Sequence, residues 1–334
     1  MLSNLFTPFT IKHITLRNRV VMPPMVRLAA DMPRELTDTD GAITDAVVEH
    51  YRLRAAAGTA MIIVEATAVD QGGQVWQQGL RAYADEHIPG LARLAEAIHA
   101  EGAVAAIQLV HGGPQAKPEV TGCENVGPSA IPPSEGAPTP RALTVEEIQA
   151  IEGRFADAAS RAIEANFDVV ELHGAHGYLL DSFLMQERNQ RQDAYGGPLA
   201  GRMRFLVETC QRVKARIGPR ALLDCRISVF NKREDFTGSD LIELVQGLEQ
   251  AGMDLLHLST NGGLKTVFGT DRTVGQWARQ ATRLPILVAG RLGNPPDAER
   301  AIAEGHTDLV AVGSVMLRDP QWTLHAQQAL ESNS

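Results

Sequence analysis

The chain has 334 residues, 44% hydrophobic and 21% charged, with a formal net charge of −9. This balance is ordinary for a globular protein, and an acidic surface without a Lys/Arg run argues against nucleic acid as a partner. Three cysteines without CxxC spacing argue against a disulfide framework and a structural zinc site.

No stretch is apolar enough to serve as a signal core or to span a membrane, so the expectation is a cytoplasmic protein without membrane contact. The opening segment FTIKHITL (9–16) predicts a hairpin turning at Lys12-His13. Strand-like runs then alternate with helical patterns along the chain. RVVMPP (19–24) reads as a strand, residues 45–58 as a helix ending at glycine, MIIVEATAV (61–69) as a strand and residues 90–102 as a helix.

VAAIQLV (104–110) is the third strand, followed by a Gly- and Pro-rich irregular stretch over 111–143. A long helix is predicted over 144–166, with Thr144 and Glu147 spaced as a capping box. FDVVEL (167–172), ALLDCRIS (221–228), MDLLHLS (253–259), LPILVAG (284–290) and TDLVAVG (307–313) complete the strands. Helical patterns over 202–218, 239–252, 274–282, 295–305 and after Pro320 lie between and beyond them.

Continuous Val/Ile/Leu runs mark strands buried on both faces, as in a parallel sheet with helices outside. Eight such units predict an α/β fold: a single (β/α)8 TIM-barrel domain over residues 1–334, with the N-terminal β-hairpin capping the barrel bottom. Active sites of this fold lie at the C-terminal strand ends. There the sequence places Glu65, Ala66 and Thr67, then Gln108 and His111, then His173, His176 and Tyr178. Arg226, Ser259, Gly290-Arg291 and Gly313-Ser314 follow.

Glycines after the last two strands suit a phosphate, because backbone N–H groups approach closely where there is no Cβ. Gln108 offers donor and acceptor together to a pyrimidine-like edge. Arg226 on a buried strand requires an anionic partner or several acceptors. His173 and His176 could bind a metal with two further ligands. The nearby candidates are His111 and Glu171, and Glu171 is expected to point away from the mouth, so no metal site is expected.

The chain resembles the old yellow enzyme family of FMN-dependent NADH:flavin oxidoreductases, its bacterial branch above all. HGAHGYL and DAYGGPLAGRMRF carry most of the resemblance, supported by the Pro-Pro-Met strand end and IQLVH. It implies FMN as cofactor, NADH or NADPH as reductant and an electron-poor alkene (enone, enal or nitroalkene) as substrate. Pro24, Met25, Val26, Ala66, Gln108, Arg226, Gly290, Arg291, Gly313 and Ser314 are implied to line the flavin. His173 and His176 are implied to hold the substrate oxygen, and Tyr178 to donate the proton.

Three positions depart from the family pattern: Val26 replaces Thr or Cys, and Pro114 and Ser314 each replace an arginine. They predict a lower flavin potential and a looser hold on the phosphate. An amine demethylase or dehydrogenase, and a flavin-binding protein without turnover, remain as alternatives. A homo-oligomer is compatible with the resemblance.

Overall fold

The computed structural model describes residues 3–27, 36, 40–229 and 236–332. Eight parallel strands close into a barrel: Val20–Met22, Met61–Ala68, Val104–Val110, Val169–Gly174, Leu222–Ser228, Leu255–Ser259, Ile286–Ala289 and Leu309–Ala311. Each pairs with its sequence neighbours, and the eighth pairs with the first. These are the eight segments expected: the third has the expected bounds, the fourth starts two residues late and runs two residues further, to Gly174, and the others are shorter by one to four residues.

Helices surround the sheet. Thr144 caps the helix Val145–Glu164 as expected: its Oγ1 accepts from Glu147 N at 3.2 Å and Glu147 Oε2 accepts from Thr144 N at 2.8 Å. The reciprocal bonds satisfy two otherwise free N–H groups. Four short α-helices escaped the sequence reading, Pro118–Thr121, Leu179–Leu184, Leu199–Arg202 and Ser314–Arg318. Each is under two turns, too short for a 3.6-residue pattern to emerge. The segment 111–143, read as irregular, holds a two-residue parallel pairing of Val126–Gly127 with Arg141–Ala142.

The hairpin pairs Phe9–Ile11 with Ile14–Leu16, and Lys12 turns with φ of 51°. Its Ile11 and Leu16 pack against a layer of inward side chains that includes Val169, Leu222, Leu255 and Leu309. The barrel is therefore plugged below by hydrocarbon, which leaves the C-terminal strand ends as the open mouth. No helix among the described residues is long and apolar enough to cross a membrane. All three cysteines are free thiols, with Cys210 and Cys225 buried.

Candidate active site

At the mouth a cavity of about 340 Å³ lies above the fifth to eighth strands and the first. Of the residues implied to line a flavin, Met25, Arg226, Gly290, Arg291, Gly313 and Ser314 line it. Gly290 is needed as a glycine there, and Gly313 leaves room for the Met25 side chain. A Cβ at Gly290 would stand 2.6 Å from Thr260 O, and one at Gly313 would stand 2.8 Å from Met25 Sδ. Arg291 has φ of 53°, a left-handed conformation that costs a non-glycine residue roughly 1–3 kcal/mol and clusters at functional sites.

Pro24 is buried and Val26 half-buried on the segment after the first strand. Ala66 and Gln108 are buried in the second and third strands, outside the lining of this cavity. Pro114 is buried against the position a Gly127 Cβ would take, and Ser314 is exposed at the start of its short helix.

The fourth strand and the turn after it bring His173, His176 and Tyr178 together. The His173 ring centroid is 5.0 Å from that of His176 and 4.9 Å from that of Tyr178, both edge-on. His176 sits in the left-handed region, φ 62°, followed by Gly177 at φ 74°. Its N–H donates to Ser228 Oγ at 2.9 Å, and its Nε2 lies 2.9 Å from Ser259 Oγ. Ser259 also accepts from Arg226 Nη2 at 3.2 Å, so one hydroxyl ties the fifth, sixth and fourth strands at the mouth.

Burial sets the protonation states. It holds His173 well below the ordinary imidazole value and, with the Arg226 charge beside it, brings His176 down to about 3. Both rings are neutral at physiological pH, each with one N–H to donate. Burial pushes Tyr178 up to about 12, so the phenol keeps its proton. Among the residues named here, two buried polar atoms meet no partner, His173 Nδ1 and Arg226 Nε. Such atoms are costly unless something bonds them. Together with a buried guanidinium and a glycine cradle, they fit a flavin: donors for a planar heteroaromatic and its developing negative charge, and close backbone approach for a phosphate.

The structure corrects one expectation. Glu171 does not point away from the barrel interior. It stands two residues before His173 on the same strand, and a period of two puts both on one face. Glu171 is fully buried and accepts from Gln108 Nε2 at 2.7 Å. Gln108 thus has a protein partner for its amide. His111 is committed elsewhere: its Nδ1 accepts from Gly113 N at 3.0 Å, and burial lowers it to about 4.

Arg27 and Tyr51 were missed altogether, and Glu65, expected at the mouth, turns to meet them instead. Arg27 donates from Nε and Nη2 to the two oxygens of Glu65, each at 2.9 Å, and from its backbone N to Oε2 at 3.1 Å. Tyr51, from the first long helix, donates to Glu65 Oε2 and accepts from Glu65 N. All three are buried, and they clamp the segment bearing Met25 and Val26 to the second strand. A register shift between Val64 and Thr67 accompanies Glu65's turn toward the helix layer. Alternation alone could not have revealed that turn.

Comparison with known proteins shows the family. The description "NADH:flavin oxidoreductase / NADH oxidase family" matches residues 4–333. An NADPH dehydrogenase of Geobacillus sp. (strain WCH70) is 36% identical over 332 residues, covering 98% of this chain and 94% of that protein. An NADH oxidase of Thermoanaerobacter brockii is also 36% identical, over 345 residues, covering 98% of this chain and 51% of that protein, so the chain spans about half that relative's length. A solved complex of 2-naphthoyl-CoA reductase with 2-naphthoyl-CoA superposes with a TM-score of 0.86 at 26% identity, over 98% of this chain and 52% of that one. The chain belongs to the NADH:flavin oxidoreductase / NADH oxidase family, the old yellow enzymes, whose cofactor is FMN and whose reductant is NADH or NADPH.

Proposed function

We propose that the protein is an FMN-dependent NAD(P)H oxidoreductase that reduces electron-poor alkenes: enones, enals or nitroalkenes. The barrel works as one flavin-binding domain over residues 1–334. Bound FMN supplies the hydride chemistry between NAD(P)H and the alkene. Arg226 would meet negative charge on the pyrimidine edge, and Gly290, Arg291, Gly313 and Ser314 would hold the phosphate end. Met25 and the clamped segment behind it form one wall, with Pro24, Val26 and Ala66 near it.

His173 and His176 donate to the substrate's activating oxygen. As the β-carbon gains hydride, negative charge grows on that oxygen, and donors already aimed there stabilise the transition state by ~3–4 kcal/mol each in comparable sites. Neutral imidazoles suit this role because they donate without transferring a proton outright. Tyr178, which keeps its proton near neutrality, delivers it to the α-carbon as general acid.

The observation that carries the reading is the cluster itself: the neutral His173 ring, one nitrogen unpartnered, with its centroid about 5 Å from the neutral His176 ring and from the protonated Tyr178 phenol, and tied through His176 to Ser259, which lines the glycine-lined cavity. The test is anaerobic stopped-flow photometry with NADH, NADPH and a panel of small enones. The double variant His173→Ala/His176→Ala should keep its flavin and lose at least ~100-fold in alkene reduction. Tyr178→Phe should slow re-oxidation by the alkene and leave reduction by NAD(P)H nearly unchanged. Wild-type turnover in the double variant would refute the assignment.

A further inference from the structure

Beneath the mouth, inside the barrel, the fourth, fifth and sixth strands place Glu171, Asp224 and His257 together, all fully buried. Glu171 and Asp224 are cross-strand partners, and His257 is the partner of Arg226. Glu171 uses both oxygens: Oε1 accepts from Gln108 Nε2 at 2.7 Å, and Oε2 lies 2.5 Å from His257 Nδ1. His257 Nε2 meets no partner. A cationic imidazole would leave an N–H there buried and unbonded, so His257 is neutral and donates from Nδ1. Burial lowers His257 in the same direction.

Asp224 has only the Cys225 N–H and Glu171 itself beside it, and neither of its oxygens makes a well-formed hydrogen bond, although a carboxylate this deeply buried requires several. Two buried carboxylates side by side do not both ionise. We infer that Glu171 and Asp224 hold one proton between them, Asp224 as the acid, and that Glu171 is a positioning residue whose single negative charge opposes Arg226 and whose oxygen orients Gln108. Burial and the Glu171 charge push Asp224 well up. Burial would raise Glu171 too, but the N–H dipole and hydrogen bond of His257, the hydrogen bond with Asp224 and the Arg226 charge oppose it, and Glu171 lies low.

Arg226 and Gln108 are two of the side chains proposed for the flavin, so the consequence for the cofactor rests on that reading; the shared proton does not. The charge beneath the pyrimidine edge would be one positive and one negative, with Asp224 silent. A divalent cation among these three residues is disfavoured. Both Glu171 oxygens and His257 Nδ1 already have hydrogen-bond partners, and a cation would add to the Arg226 charge.

The first test uses the protein before flavin is added. Infrared difference spectra of wild type against Asp224→Asn should show the loss of one protonated carboxyl band and no loss of carboxylate. Loss of a carboxylate band instead, or one equivalent of divalent metal surviving chelation in the wild type, would overturn the inference.

The second test is the flavin midpoint potential. Asp224→Asn leaves Glu171 charged, and in Glu171→Gln the proton leaves Asp224, so each single variant should stay near the wild type. The double variant loses the charge and should favour reduced over oxidised flavin by at least about tenfold, ~30 mV for a two-electron couple. Equal stepwise rises in the two single variants would mean two ionised carboxylates and would overturn the shared proton. If the double variant does not fold, Asp224→Asn still decides through both readouts. A wild type that takes up no FMN would sink the flavin reading and leave the infrared result standing.

Discussion

The two sides of the barrel interior start alike and end differently. At the bottom both are hydrocarbon: Val169, Leu222 and Leu255 on the fourth to sixth strands, Leu287, Leu309 and Val21 on the seventh, eighth and first. Two residues higher, the first side changes to Glu171, Asp224 and His257, and then to His173, Arg226 and Ser259. The second side changes to Ala289, Ala311 and Pro23, which line the open cavity together with the glycine turns above them. One wall supplies hydrogen-bonding and charge, and the other supplies room. A planar cofactor needs both, because donors on all sides would leave no space and small residues on all sides would leave nothing to orient it.

This contrast can be broken from either side. The largest effect is expected on the polar wall. Arg226→Met removes the cation whose charge opposes buried Glu171, without direct contact between them, together with the bond to Ser259, so the loss should approach the ~3–5 kcal/mol of a broken buried pair. Denaturant unfolding should show that loss, and flavin content should fall with it. If stability is unchanged, Glu171 does not carry the charge.

On the apolar side, Leu287→Ala removes hydrocarbon from a fully buried layer and should cost ~2–5 kcal/mol. It should leave the flavin potential where it is. A shift in potential comparable to that of a polar-wall variant would blur the division between the walls.

A smaller effect comes from the mouth histidines. Burial places His111 at about 4 and, with Arg226 beside it, His176 at about 3 in the folded protein, below the ordinary value of 6.5. As pH falls below about 6.5 the unfolded chain takes up these protons and the folded protein does not. Stability is therefore fully present above that pH and declines toward about 4, at up to ~1.4 kcal/mol per pH unit for each such histidine. His111→Gln should make the decline shallower between pH 6.5 and 4; an unchanged slope would show that His111 is not kept neutral. The smallest effect lies outside the barrel: Thr144→Ala removes the helix cap and should cost ~1 kcal/mol, read as a lower Tm with the potential unchanged.

Much of this is legible in the sequence. The hairpin, the eight strands and the capping box at Thr144 follow from local signals, since strand alternation, turn residues and helix caps act within a few residues. The clustering of His173, His176 and Tyr178 is legible too, because one strand end and one turn carry all three. The inward pairs Glu171-x-His173, Asp224-x-Arg226 and His257-x-Ser259 also stand in the sequence at a spacing of two. Reading those strands as uniform apolar runs conceals them and sends Glu171 to the wrong face.

The order and type of the barrel elements are thus determined by the chain itself, because propensity and periodicity are local. Tertiary structure alone decided which buried polar groups meet. Glu171 finds His257 from 86 residues away, and Arg27 finds Glu65 across 38 with Tyr51 joining from the helix layer. Such pairings depend on barrel closure, strand register and one irregularity in the second strand, and no short window of sequence encodes them.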